Sequence, residues 1–330
     1  MSVLITGGAG FIGSNFIRYF MEKNPEEKVV CLDKLTYAGN MENLSFVLDN
    51  PNFTFVRGDI CKKADVERIF QQNRIKTVIN FAAESHVDRS IQDATSFLQT
   101  NVVGVQILLD ACVKYGIQRF HQISTDEVYG DTSLKSKRKF KETDRLQPNS
   151  PYSATKAAAD LLVLSYYRTY GVPITISRSS NNYGPNQHSE KFIPLMIKKA
   201  LANEPLPIYG TGKNIRDWMF VEDHCRAIDV ILKKGIVGQI YNVGVQEERS
   251  NLQMLNALSI FLLKRVPSIQ IKHIEDRKGH DLRYSLNIDK IRNLGWSPKT
   301  TFIEGLRTTV GWYLKNTALL EKGKEAQGDS

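Results

Sequence analysis

The chain has 330 residues, 42% of them hydrophobic and 24% charged, and a net charge of +9. That composition supports a sizeable core and excludes a disordered chain, and the length suits one large α/β domain with a smaller companion. No apolar run approaches the ~18 residues of a membrane-crossing helix, and four scattered cysteines (Cys31, Cys61, Cys112, Cys225) without a CxxC pair make neither a disulfide framework nor a zinc site.

The opening "MSVLITGG" goes straight into a strand and a glycine turn, without the basic start and longer apolar stretch of a secretory signal. The expectation is a cytoplasmic protein with no membrane partner and no metal. Much of the positive charge sits in "KSKRKFK", Lys135 to Lys141, which reads as a solvated loop rather than a nucleic-acid surface.

Along the chain, "SVLIT", "KVVCLD", "FTFVRGD", "KTVINFAA", "RFHQIST" and "PITISRS" are short runs rich in Val, Ile, Thr and Phe, and are predicted strands. Between most of them the apolar spacing changes to three and four, as in "FIGSNFIRYFMEK" and "GVQILLDACVKYG", which predicts helices. This alternation implies an α/β fold with a doubly wound parallel sheet, which binds ligands at the carboxyl ends of its strands. After about residue 180 the pattern becomes irregular and richer in Pro and Asn. The expected division is a Rossmann-type cofactor domain over 1–180, re-entered around 223–246 by "VEDHCRAIDVILKKG" and "QIYNVGV". Residues 181–330 then form mainly a smaller, mixed α/β substrate domain. It ends in helices, one short strand "IQIKHIE" and a frayed tail, "EKGKEAQGDS".

"LITGGAGFIGSNF" sets Gly7, Gly8, Gly10 and Gly13 after a strand and at the start of a helix. A pyrophosphate site needs this: a tight turn, backbone that can come close, and a helix N-terminus aimed at the anion. Asp33 ends the second strand, where a carboxylate can accept from a ribose diol and would repel a 2′-phosphate, so NAD is expected over NADP. "GDI" at the end of the third strand offers Asp59 and Ile60 to the adenine.

"SPYSATK" places Tyr152 and Lys156 four residues apart, on one helix face. A nearby ammonium is expected to lower the phenol pKa toward working pH, and the lysine can also hold the nicotinamide ribose. In "ISTDEVYG", Asp126 and Glu127 stand side by side just after a buried strand. Two adjacent carboxylates are costly there unless they act.

With "FAAESHVDRSI", "STDEVYG", "SNNYGP", "EKFIPLMI", "RDWMFVEDHCRAI" and "DRKGHDLRY", these motifs span nearly the whole chain. It resembles the dTDP-glucose 4,6-dehydratases of the extended short-chain dehydrogenase/reductase superfamily. The resemblance implies dehydration of dTDP-glucose to its 4-keto-6-deoxy product, an early step toward rhamnose or a related deoxysugar, by a homodimer. Tyr152 takes the C4 hydroxyl proton, Glu127 removes the C5 proton that a C4 ketone makes acidic, and Asp126 protonates the departing C6 oxygen. Thr125 helps hold the C4 oxygen. The resemblance also implies NAD contacts from Phe11, Ile12, Lys34, Thr36, Ala82, Ala83, Ser85, Thr100 and Asn182. His86, Asn181, Lys191, Arg216, Asn251, Arg277 and His280 would hold the nucleotide sugar, where cations suit a diphosphate. The chain departs from the expected pattern at Ser179, Asn186, His188 and Ser189.

Two rivals share parts of these motifs. A nucleotide-sugar 4-epimerase or decarboxylase would use the same NAD turn, Tyr152 and Lys156, but lacks use for the Asp126–Glu127 pair. A non-catalytic NAD-binding regulator would need none of the four.

Overall fold

The computed structural model describes residues 2–321; the remainder of the expected C-terminal tail lies outside the described residues. Six strands follow the sequence pattern: β1 Ser2–Thr6, β2 Lys28–Asp33, β3 Phe53–Arg57, β4 Ile75–Asn80, β5 Arg119–Thr125 and β6 Ile174–Ser179. Three short ones come next, β7 Asn181–Tyr183, β8 Leu206–Tyr209 and β9 Ile215–Phe220. Then follow β10 Gln239–Val243, β11 Glu248–Ser250 and β12 Ile271–Ile274. The main sheet has the order β10-β6-β5-β4-β1-β2-β3, parallel throughout. Its order reverses between β1 and β4, so their carboxyl ends open the crevice in which such sheets bind ligands.

Helices cover both faces, because strands buried on both sides need both covered. Helices 63–72, 105–115 and 151–170 pack on one face, over a core that includes Leu4, Val78, Phe120 and Val163. Helices 11–23 and 221–234 pack on the other, over Ile5, Phe16, Ile79 and Cys225. This is a Rossmann-type doubly wound fold. A smaller unit has its own core, including Ile197, Trp218, Leu258 and Leu306, around the β11-β9-β7 sheet and the β12-β8 pair.

One segment departs from its expected form. The helix expected at "GVQILLDACVKYG" begins earlier, and "TSFLQTNVVGVQILLDACVKYG" is three pieces, an α-turn Thr95–Leu98, a π-helical stretch Gln99–Gly104 and an α-helix Val105–Tyr115. Polar Gln99, Thr100 and Asn101 interrupt the apolar run in sequence, yet the helix continues through them. By length and composition alone, Thr95–Tyr115 is therefore long and apolar enough to cross a bilayer, contrary to the sequence expectation. Here it packs against helices 63–72 and 151–170.

Candidate active site

At the carboxyl end of β1 the chain turns at Gly7 with φ +68°, and a Cβ there would lie 2.6 Å from the backbone N of Ala82. At Gly13 a Cβ would fall 2.3 Å from the Gly7 carbonyl oxygen. Only glycine lets strand, turn and helix meet this closely. The helix that follows starts at Phe11 with Gly10 as N-cap, no side-chain cap and no acid in its first turn, so its first amides remain available to an anion. Asp33 accepts the Ala9 N–H at 2.9 Å and the Leu35 N–H at 2.8 Å. Burial raises its carboxyl, and those amides oppose the rise. Lys34 pairs with Asp59 at 2.8 Å beside the expected adenine edge.

The 151–170 helix is set by a capping box, Ser150 with Ser153, and by Pro151 in its first turn. The Tyr152 N–H also donates to Ser90 Oγ at 3.1 Å. One turn on, Lys156 Nζ donates to the Ile123 carbonyl at 2.6 Å. Thr125, the last residue of β5, caps the short 3₁₀ turn of residues 126–129: its Oγ1 accepts from the Glu127 N–H at 3.2 Å and donates to Asp126 Oδ1 at 3.3 Å. The cap is thus Thr125, and the two carboxylates are left for other work. Asp126 Oδ2 is buried without a partner.

The electrostatics correct one expectation. Burial first, then the Glu127 and Asp126 charges, push the Tyr152 phenol well above its ordinary value rather than toward neutrality. Lys156 moves down, to about 8, because it is buried; Asp160 opposes this. Its ammonium faces a carbonyl, so in this arrangement it does not act on the phenol as a bonded cation. Asp126 rises strongly, from burial and then from Glu127, with Arg216 opposing. Glu127 also rises through burial, restrained by Arg277, Arg216 and Lys191. Burial thus pushes both carboxyls toward the protonated form, and at Asp126 the neighbouring Glu127 charge adds to it.

Beyond these lies the second wall. Lys191 Nζ donates to the Ser85 carbonyl at 2.9 Å. Arg216 donates to the Ile215 and Asp281 carbonyls at 2.8 and 2.9 Å and lies 4.2 Å over the Tyr284 ring. Asn251 begins a helix, Arg277 approaches Asp88 at 3.8 Å, and His280 pairs with Asp276 at 2.5 Å. His86 Nδ1, Asn181 Oδ1 and Arg277 Nε are buried with no protein partner. Orphaned polar atoms on a cavity wall suit a polar ligand.

One cavity of about 590 Å³ holds all of this. Of the residues singled out from the sequence as catalytic, cofactor-binding or substrate-binding, all but Gly8 line it, from Gly7 to His280. Sequence reasoning missed Tyr284, Glu84 and Glu190, which line it too, and a cluster built on Glu190. Arg89 pairs with Glu190 at 2.6 Å and stacks 3.9 Å over Tyr37. Among the unexpected residues, Asn186 holds φ +68°, which asparagine tolerates, and its Nδ2 donates to Ser14 Oγ at 3.1 Å.

Residues 4–309 match the family model described as GDP-mannose 4,6 dehydratase. The dTDP-glucose 4,6-dehydratase of Neisseria gonorrhoeae is 48% identical over 334 residues, covering 96% of each chain. A low-salt glycan biosynthesis protein of Haloferax volcanii is 50% identical over 316 residues, 95% of this chain and 99% of that one. The dTDP-glucose 4,6-dehydratase of Streptomyces venezuelae, solved with NAD and dTDP bound, matches with TM-score 0.91 at 44% identity, over 98% of this chain and 100% of that one. With matches of this extent, and with the glycine turn, Tyr152–Lys156 and Asp126–Glu127 meeting in one cavity, the chain belongs to the dTDP-glucose 4,6-dehydratases of the extended short-chain dehydrogenase/reductase superfamily.

Proposed function

We propose that the protein converts dTDP-glucose to dTDP-4-keto-6-deoxyglucose with bound NAD. The observation that carries this is the pair Asp126 and Glu127 beside Tyr152, in the cavity that also contains the glycine turn. Bound NAD supplies the acceptor for the C4 hydride and its return to C6. Gly7, Gly10, Gly13 and the amides from Phe11 onward would cradle its pyrophosphate. Asp33 accepts from its ribose, and Asp59 and Ile60 border its adenine.

Tyr152, once it has given up its own proton and stands as phenolate, takes the C4 hydroxyl proton, with Thr125 holding the same oxygen. Because carboxylate charge opposes the phenolate, a protonated Asp126 favours this step as well as the next. The C4 ketone then makes C5–H acidic, and Glu127 removes it while Asp126 gives its proton to the C6 oxygen, which leaves as water. Lys191, Arg216, Arg277 and His280, with Asn181 and Asn251, hold the nucleotide diphosphate side.

Residues 1–180 with the re-entry around 223–246 carry the cofactor, and 181–330 carry mainly the sugar nucleotide. In support, β10 joins the main sheet while β7, β9 and β11 form a separate one. Homodimerisation is part of the same reading: Leu98, Val113, Leu161 and Tyr170 are exposed on the 95–115 and 151–170 helices, Leu161 at 59%. Two such helices from each copy would bury that surface. Four free cysteines support a reducing, cytoplasmic setting.

The test is incubation with dTDP-glucose followed by alkali, which gives a 4-keto-6-deoxy sugar a characteristic ultraviolet absorbance. Recovery of dTDP-galactose instead would favour a 4-epimerase.

A further inference from the structure

The main sheet carries an unexpected polar rung. One layer down, the residues in register on β1, β4 and β5 are Leu4, Val78 and Phe120, all fully buried. They form part of the core beneath the 105–115 and 151–170 helices. Two residues later, strand periodicity returns the side chains to the same face. The register there is Thr6, Asn80 and Gln122, and none is more than 1% exposed. An apolar rung would fill this space without polar atoms to satisfy, so the fold alone does not require these residues.

Their hydrogen bonds run in one direction. Thr6 Oγ1 donates to Asn80 Oδ1 at 2.5 Å, and Asn80 Nδ2 donates to Gln122 Oε1 at 2.9 Å. Gln122 Nε2 donates to the Ile123 carbonyl at 3.3 Å. That carbonyl is the acceptor of Lys156 Nζ. The rung therefore begins one residue before the glycine turn and ends on the atom that holds the catalytic-helix lysine.

We propose that Asn80 and Gln122 are positioning residues for Lys156: they fix the Ile123 carbonyl, and through it the ammonium, relative to the cofactor turn. The inference rests on the reading of C4 oxidation above and on the second role expected of Lys156, holding the nicotinamide ribose beside Tyr152. Lys156 is itself almost fully buried, at 5% exposed, and among the described residues the Ile123 carbonyl is the hydrogen-bond partner of its ammonium.

The experiment is the variant Asn80→Leu/Gln122→Leu, which makes the rung apolar like the one beneath it and leaves Thr6 in place. The expected protein unfolds cooperatively in urea, copurifies with the same NAD content and keeps KM for dTDP-glucose within about twofold. Its rate of bound NADH formation falls at least about tenfold, the scale on which small misplacements of reacting groups act. If the double variant does not fold, Gln122→Met, which removes only the donor to Ile123 and the acceptor for Asn80, is read the same way. A wild-type rate in the folded variant overturns the proposal. So does a rate loss that only tracks lost stability or lost NAD. A wild-type enzyme that yields no 4-keto-6-deoxy product would instead overturn the proposed function.

Discussion

Replacing Glu127 by Gln keeps the side chain's length and removes its charge. In the structure this charge is the second cause, after burial, of the raised Asp126 carboxyl. The substitution therefore does two things: it deletes the C5 base, and it lets Asp126 ionise at lower pH. A positioned acid or base contributes roughly 10²–10⁴ in rate, about 3–5 kcal/mol of barrier. C5–H exchange in deuterated solvent should fall by that factor, and water loss by at least as much. Bound NADH should still form, because Tyr152 and Lys156 are untouched, and the phenol loses the larger of its two repelling charges. Asp126→Asn should spare exchange better than it spares water loss, and Tyr152→Phe should suppress all three signals. Stability gives an independent check. The folded-state pKa of Asp126 is raised, so its contribution is complete below the ordinary carboxylate range and is lost as pH rises through the raised value. At neutral pH Asp126→Asn should melt no lower than wild type. Following NADH absorbance, exchange and product in all three variants decides the matter. Near-normal exchange in Glu127→Gln would refute the assignment of the base, and a lower melting temperature for Asp126→Asn would refute the electrostatic argument.

Denaturing the purified protein should release NAD, since a cofactor that must return its hydride gains nothing by leaving; NADP in that fraction would contradict the role given to Asp33. Light scattering at micromolar concentration should give a dimer mass, and Leu161→Lys on the exposed helix face should shift it toward the monomer. His121 and His224 are fully buried and held near pKa 3 by desolvation. The unfolded chain binds two protons that the folded one refuses between about pH 6.5 and 3, so stability should fall with pH through that window by up to about 2.7 kcal/mol per unit. Urea midpoints from pH 7 to 4 measure this, and His121→Gln with His224→Gln should flatten the slope.

What was legible in the sequence was local. The glycine turn, the acids after β5 and the Tyr152–Lys156 spacing each lie within a dozen residues, where turn chemistry and helix periodicity state the geometry outright. The Tyr37–Arg89–Glu190 cluster was not legible: its members are some 50 and 100 residues apart and carry no pattern. Tyr284 joins the cavity from a segment without periodicity, and its place there, stacked under Arg216, appears only in the fold. The π-helical stretch was hidden because Gln99–Gly104 keeps a helical run of residues while changing its hydrogen bonding. The Tyr152 phenol was misjudged because four-residue spacing says nothing about where an ammonium points, and Lys156 points at a carbonyl.

The pairing of β10 with β6 bears on how the chain assembles. Val243 lies opposite Ser179, and all of β7, β8 and β9 intervenes between them. Thr6 and Asn80, opposite each other on β1 and β4, are separated at least as widely, so what sets β10 apart is order: it is the last strand of the main sheet to be made and joins one whose other six strands already exist. The edge of the main sheet therefore closes only as the outer unit is made. A newly synthesised chain that stops short of residue 243 presents β6 as an open edge, the kind of surface that invites aggregation.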